Sequence, residues 1–208
     1  MKKNMYNNTI KYFILTFTTF FLASFSVTSS VLDITEDDFY IGDKNAPVTI
    51  IEYASLSCSH CANFHINTLP QIIEEYVNTG KVKFVFRDFP FNYPALLGTM
   101  LLRCIPNEIR LEYSKALYAF QKRWVVRDNK KSTEELFKIM QSGGMTKNDF
   151  NKCIEDKDLE NEIVQQLMEV QNEFKIQSTP SFLINGLLVE GYKSIANFRK
   201  IIEKELSK

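Results

Sequence analysis

Two cysteines three positions apart, Cys58 and Cys61, are the residues of this chain best suited to chemistry. The residues before them, 48–54, are apolar and β-branched apart from one acid, which predicts a buried strand. A strand that leads into a helix opening with C-x-x-C places the first thiol at the helix N-terminus and the second one turn inside. The helix dipole and the free N–H groups at that end stabilise a thiolate. We therefore predict a redox-active dithiol, with an inert structural disulfide or half of a zinc site as the alternatives.

Around this pair the sequence predicts strands and helices in the order βαβ, then helices alone, then ββα. The predicted elements are a strand at 48–54, a helix at about 59–78, a strand at 81–87, several helices between 95 and 174, strands at 181–184 and 187–189, and a helix at about 194–206. A right-handed crossover makes the first two strands parallel neighbours. Asn185-Gly186 between apolar runs is a strong hairpin signal. We expect an α/β fold in which both β parts join one sheet and the inserted helices pack as a lid.

The first thirty residues have the three parts of a secretory signal peptide. Lysines without any acid are followed by an apolar run of about 15 residues and then by small residues. An uncleaved membrane anchor is the alternative, although the run is short for the ~20 residues of a spanning helix. Removal of residues 1–30 takes three lysines from the 25 basic residues and leaves a formal charge of −3 against the 25 acidic residues. This balance gives no indication of nucleic-acid binding, and four cysteines in an exported chain imply paired thiols.

Three stretches together resemble one known family. They are Glu52-Tyr53-Ala54-Ser55-Leu56-Ser57-Cys58-Ser59-His60-Cys61 with Phe64, Arg87-Asp88-Phe89-Pro90, and Thr179-Pro180-Ser181-Phe182-Leu183-Ile184-Asn185-Gly186. The resemblance is to the DsbA-like thiol:disulfide oxidoreductases of the bacterial periplasm, which have a thioredoxin fold with an inserted all-helical domain. It implies a signal peptide at 1–30, a first thioredoxin-fold half at 31–94, the helical insertion at 95–175 and a second half at 176–208.

The resemblance implies a role for each residue of the C-x-x-C motif. Cys58 is the thiol that forms a mixed disulfide with substrate, and Cys61 is its buried partner. His60, through its imidazolium or its ring N–H, is expected to stabilise the Cys58 thiolate, with an exposed polar filler as the alternative. A histidine at this position resembles the motif of the oxidising members of the family, and the resemblance therefore favours an oxidase over a reductase. Ser59 departs from the proline most familiar there.

Thr179-Pro180 resembles the loop that faces the cysteines in this family. The resemblance implies a cis peptide bond, which is affordable before proline. The free backbone groups of Thr179 would then pair with an extended substrate, as a short form of strand addition. A trans proline that merely starts a strand is the alternative.

Glu52 is the only acid in the strand before the cysteines. A carboxylate below Cys61 could relay its proton through water, and a sheet-edge residue that reaches solvent is the equal alternative. His65 stands where an acid is common in the family. We expect it to be a solvated helix residue, although with Cys58, Cys61 and His60 it keeps a metal site conceivable.

Cys104 and Cys153 both fall in the predicted helical insertion. We expect them to form a structural disulfide that closes a long loop, with two free buried thiols as the alternative.

These predictions combine into a periplasmic enzyme that donates the Cys58–Cys61 disulfide to reduced or unfolded exported proteins. The resemblance implies no prosthetic group and a membrane partner that reoxidises the enzyme. A disulfide isomerase or reductase kept reduced by a membrane thiol donor is the second interpretation. A chaperone or metal-binding module that uses the same cleft is the third, and it would not need the thiols.

Overall fold

The computed structural model describes residues 34, 38–174 and 176–208. The strands within them are β1 (Phe39–Ile41), β2 (Val48–Ala54), β3 (Val82–Asp88), β4 (Ser181–Ile184) and β5 (Leu187–Glu190). The α-helices within them are α1 (Ser59–Asn67), α2 (Leu69–Ile72), α3 (Tyr93–Arg103), α4 (Asn107–Ala119), α5 (Gln121–Trp124), α6 (Asn129–Ser142), α7 (Lys147–Glu155), α8 (Lys157–Phe174) and α9 (Ile195–Leu206). The predicted signal peptide lies outside the described residues.

The described strands form one sheet in the order β1-β3-β2-β4-β5. β2 and β3 are parallel, with Val48 opposite Val82, and β2 and β4 are antiparallel. β4 and β5 form the predicted hairpin, and its turn residue Asn185 has a positive φ of 45°. The predicted α/β fold with a single sheet is confirmed, and the strand before the cysteines occupies the centre of that sheet.

The short strand β1 was not predicted from the sequence. It pairs antiparallel with β3 at the edge of the sheet. Next to it, Arg87 donates two hydrogen bonds to the carboxylate of Asp38, at 2.8 and 2.7 Å. Part of the segment before β2 therefore forms the outer strand.

The helix predicted over 59–78 is interrupted. α1 ends at Asn67, α2 begins after Thr68, and a π-helical segment follows at Ile73–Val77. Pro70 stands in the first turn of α2, where its missing N–H costs least, and it cannot continue the hydrogen bonds of α1. The apolar pattern runs through both helices, so periodicity alone hid the break.

Helices α3 to α8 lie between the two β parts and share one apolar core. Trp124 is fully buried in it, and its indole N–H donates to the Leu117 carbonyl at 2.9 Å. Cys104, directly after α3, and Cys153 in α7 form a disulfide with an S–S distance of 2.07 Å. The division of the chain at residues 31, 95 and 176 stays a prediction.

Side chains alternate between the two faces of β2 because successive residues of a strand point in opposite directions. Val48 and Ile50 belong to the apolar cluster with Phe64 of α1, whereas Ile51 and Tyr53 belong to the cluster on the other face. Glu52 continues the first set and so points to the face that α1 covers.

None of the helices in the described ranges is long and apolar enough for a membrane span.

Candidate active site

The end of β2 and the start of α1 position the two cysteines. Cys58 is the N-cap of α1, with extended backbone at φ −81° and ψ 122°, and its N–H donates to the Ser55 carbonyl at 3.0 Å. Its sulfur is half-buried. Cys61 lies one turn further on and is fully buried, and both cysteines are free thiols. One sulfur is therefore open to a second molecule and the other is enclosed.

Local hydrogen bonds lower the pKa of Cys58 from 9.0 to about 5. The largest contribution is the hydrogen bond from the Cys61 thiol, which outweighs the opposing effect of burial. The side chain of Thr179 and the backbone N–H groups of Cys61 and His60 lower the pKa further. At neutral pH Cys58 is thus a thiolate at the N-terminus of a helix.

Cys61 has the opposite character. Burial raises its pKa, and the neighbouring Cys58 and the charge of Glu52 raise it further. A low pKa at the open sulfur and a raised pKa at the enclosed one stabilise the state with one thiolate and one thiol. The reduced form of the pair is therefore more stable, relative to the disulfide, than that of an unperturbed pair of cysteines.

The loop before β4 closes over Cys58. The Thr179–Pro180 peptide bond is cis, and the Thr179 carbonyl oxygen lies 3.3 Å from the Cys58 sulfur. Pro180 is buried, and its carbonyl accepts a hydrogen bond of 2.8 Å from the N–H of Gly191. Thr179 is partly exposed and lies beside the reactive sulfur.

His60 is exposed at the first turn of α1. Its backbone N–H contributes to the low pKa of Cys58, whereas its ring is not among the groups that lower it. The expected effect of the imidazole on the thiolate stays a prediction.

The structure excludes one of the two alternatives for Glu52 and shows that the expectation for His65 is wrong, whereas the proton relay through Glu52 stays a prediction. β2 lies between β3 and β4, and Glu52 on the face covered by α1 is fully buried, so it is not a sheet-edge residue that reaches solvent. His65 is also buried rather than solvated, and its Nε2 lies 2.9 Å from Oε2 of Glu52. His65 follows buried Cys61 by four positions and so lies on the same helix face. This spacing was the signal available in the sequence.

Gln121 in α5 is a site residue that the sequence did not reveal. Its side-chain amide donates to the carbonyl oxygens of Leu56 and Cys58, at 2.8 and 3.0 Å. Two backbone acceptors of the turn before α1 are thereby satisfied by the inserted helices. No motif surrounds Gln121, and only the packing of α5 against the turn brings it there.

The metal site considered for Cys58, Cys61, His60 and His65 finds no support in the geometry. Within the described ranges, no group of three or more His, Cys, Asp or Glu side chains could hold a metal ion. His65 is engaged with Glu52, and His60 is exposed. The dithiol itself is the reactive group that this site offers.

Comparisons with known proteins agree with this geometry. A thioredoxin family model matches residues 34–204. The crystal structure of alpha-DsbA1 from Wolbachia pipientis is 33% identical, covers 85% of this chain and 94% of its own, and superposes with a TM-score of 0.80. BdbD from Bacillus subtilis, at 21% identity and a TM-score of 0.70 over 83% of this chain and 94% of its own, shares the fold.

Curated relatives extend the comparison to whole sequences. A protein of Rickettsia bellii, provisionally assigned as a protein-disulfide oxidoreductase, is 30% identical over 175 residues, which are 83% of this chain and 66% of that protein. The match to the Rickettsia prowazekii relative covers 65% of its length. The chain thus spans just under two thirds of these relatives. The match over residues 34–204 and the identity to alpha-DsbA1 show that this chain belongs to the thioredoxin family, as one of its DsbA-like members.

Proposed function

We propose that this protein is a thiol:disulfide oxidoreductase that donates the Cys58–Cys61 disulfide to reduced proteins. The observation that carries the proposal is the contrast between the two sulfurs. The pKa of Cys58 is lowered to about 5, whereas that of Cys61 is raised by burial. A stabilised Cys58 thiolate favours the reduced enzyme, and a pair that favours its reduced form is an oxidant toward other thiols.

The reaction proceeds in two exchanges on the oxidised enzyme. A substrate thiolate attacks the open Cys58 sulfur, the Cys58–Cys61 bond breaks, and the electron pair goes to Cys61, which takes up a proton. A second substrate thiolate then attacks the substrate sulfur of this mixed disulfide, and Cys58 leaves as a thiolate. The substrate loses two electrons and gains a disulfide, and the enzyme ends with one thiolate and one thiol.

Substrate binding falls to the loop beside the sulfur. An extended substrate chain would pair with the backbone of Thr179, and buried Pro180 would hold that backbone next to Cys58. His60 would add a positive or hydrogen-bonding group on the open side of the sulfur. The proposed substrates are therefore unfolded or reduced chains that reach the thiol in extended form.

The cellular setting follows from the N-terminal sequence and from the family. We place the enzyme in the periplasm, exported by the signal peptide at residues 1–30, with an uncleaved anchor as the alternative. It needs no prosthetic group, because the dithiol carries the electrons. A membrane protein that accepts two electrons from Cys58 and Cys61 would restore the disulfide.

The reduction potential of the Cys58–Cys61 pair tests the proposal. The mature protein is equilibrated with glutathione buffers, and the fraction of disulfide is measured by acid quenching and thiol alkylation. A potential well above that of glutathione supports disulfide donation. A potential near or below it would instead indicate an isomerase or reductase that works with a reduced pair.

A second experiment separates exchange from binding. The oxidised protein is mixed with a reduced peptide that carries two cysteines, and formation of the peptide disulfide is followed by mass spectrometry. The double variant Cys58→Ser, Cys61→Ser should form none. If the double variant replaced the wild-type protein in the cell without loss of function, the site would act as a binding cleft and the redox proposal would fail.

A further inference from the structure

The buried pair of Glu52 and His65 is not used by the exchange as described so far. The two side chains are 0% and 2% exposed, and Oε2 of Glu52 lies 2.9 Å from Nε2 of His65. Each side chain has a second polar atom, Oε1 of Glu52 and Nδ1 of His65, that is buried and has no hydrogen-bond partner among the described residues. Enclosing such atoms without partners costs free energy, so the pair requires an explanation beyond packing.

A cavity of about 540 Å³ adjoins this pair. Glu52 and His65 line it together with Tyr118, whose ring stacks on His65 at 4.1 Å between centroids. Burial raises the pKa of Tyr118, so its hydroxyl stays protonated. The volume is ample for several water molecules, each of which needs polar neighbours of this kind.

Charged side chains from several elements face the same cavity. Its basic groups are Arg87, Arg103 and Arg110. Its acidic groups besides Glu52 are Asp38, Asp88, Glu162 and Glu169. Several of them neutralise one another, because Arg87 pairs with Asp38 and Arg103 pairs with Asp88 and Glu162. The cavity is thus lined by charged and polar side chains as well as by apolar ones such as Phe86 and Leu102, and its lining extends from the buried pair to side chains of α8.

Cys61 is the group that needs a proton path. Its sulfur is fully enclosed, and its pKa is raised first by burial and also by the charge of Glu52. When the Cys58–Cys61 bond breaks, the buried sulfur must gain a proton, and when the bond forms again it must lose one. Glu52 thus acts on the pKa of Cys61 through its charge, and its Oε2 contacts Nε2 of His65.

We propose that His65 is a positioning residue that orients Glu52 beneath Cys61 and passes protons between Glu52 and the cavity. This inference rests on the proposed disulfide exchange and adds its proton route. During reduction of the disulfide, Glu52 gives a proton to the Cys61 sulfur, Nε2 of His65 replaces it, and Nδ1 takes up a proton from the cavity. During oxidation each proton moves the opposite way. Imidazole suits this task because its two nitrogens can exchange roles.

Ring closure with glutathione isolates this step. Reduced protein is mixed with excess oxidised glutathione to form the Cys58–glutathione mixed disulfide. Cys61 then loses its proton and attacks Cys58, the Cys58–Cys61 bond forms, and glutathione leaves as a thiolate. The rate of this closure is measured from pH 5 to 8 by acid quenching and mass spectrometry, and it requires no protein substrate.

The variant His65→Gln retains a donor toward Glu52 but cannot carry a proton through its side chain. We expect closure about 100-fold slower at pH 6, with a rate that rises tenfold per pH unit where the wild-type rate is nearly flat. Glu52→Gln should give the same profile, and the double variant should be no slower than either. Phe86→Leu, which alters a ring 5.9 Å from His65, should keep the wild-type profile. A wild-type rate and profile in His65→Gln would overturn the inference.

Chemical rescue tests the same idea without relying on one variant. The cavity should admit free imidazole to the space left in His65→Ala, and closure should recover in proportion to the basicity of the imidazole used. Equal recovery with pyrrole, which fills the space without a basic nitrogen, would show that His65 only packs and would overturn the proton route. Failure of the wild-type protein to oxidise a peptide would refute the proposed function and leave these closure rates measurable.

Discussion

Removing the Cys58 thiolate, by acid or by the substitution Cys58→Ser, should destabilise the reduced protein. The pKa of Cys58 is about 5 in the folded protein and 9.0 for an unperturbed thiol. Between these values the unfolded state binds more protons than the folded state, so stability rises with pH by at most about 1.4 kcal/mol per unit. The gain is complete above pH 9 and is lost as the pH falls through about 5. Cys61, whose pKa is raised, is protonated in both states below pH 8 and adds nothing in this window.

From pH 5 to pH 7 the contribution is therefore at most about 2.7 kcal/mol. Cys58 is only half-buried, and solvent screening weakens its interactions, so we expect about 1–2 kcal/mol. Urea unfolding of the reduced wild type and of Cys58→Ser, in the same reductant at pH 5, 6 and 7, measures it. The reductant affects the Cys104–Cys153 disulfide equally in both proteins. The contributions of all other titrating groups cancel in the difference between the two free energies of unfolding. A difference in free energy of unfolding that stays constant from pH 5 to 7 would refute the assigned pKa.

Three further predictions follow from other parts of the structure. Cys61→Ala removes the largest cause of the low pKa of Cys58, so the thiolate absorbance at 240 nm should titrate at a higher pH than in Cys61→Ser, whose hydroxyl can still donate. Gln121→Leu removes the side-chain donor of the Leu56 carbonyl, whereas the Cys58 carbonyl keeps its hydrogen bond from the Ala62 N–H. It should lower the free energy of unfolding by about 1–3 kcal/mol, and Gln121→Glu, which lacks the donor and adds a charge, should lower it further. Replacing Cys104 and Cys153 by serine opens a loop with a sequence separation of 49 and should cost about 4 kcal/mol, measured by thermal unfolding. Peptide oxidation should continue in that variant, and its loss in a folded variant would contradict a purely structural role.

The central strands and the hairpin could be predicted because their signals are local. β2 is an apolar, β-branched run. Asn185-Gly186 supplies the turn between β4 and β5. Three-residue β1 has no such pattern, and it exists because β3 offers it an open edge. The interrupted helix shows the same limit, since Pro70 marks the break while the apolar period continues across it.

The positions of Cys58 and Cys61 in the fold could be predicted from sequence, but the side chains that lie beneath them could not. C-x-x-C after a strand places Cys58 and Cys61 by local geometry alone. The pairing of Glu52 with His65 depends on how α1 crosses the sheet, although the four-residue step from Cys61 and the alternation of β2 together indicated that both point inward. Gln121 depends on the docking of helices some sixty residues away, and no local pattern reports that.

The second disulfide has a consequence for how the protein itself matures. A newly synthesised chain has four thiols, and these can pair in three ways. Only one pairing leaves Cys58 and Cys61 joined as an exchangeable bond while Cys104 and Cys153 close the helical layer. In the folded protein Cys61 and Cys153 are buried. A wrong disulfide that forms before folding would therefore be inaccessible afterwards, and its correction would require at least partial unfolding. Correct pairing of the chain's own cysteines is therefore a condition for having Cys58 and Cys61 available for exchange at all.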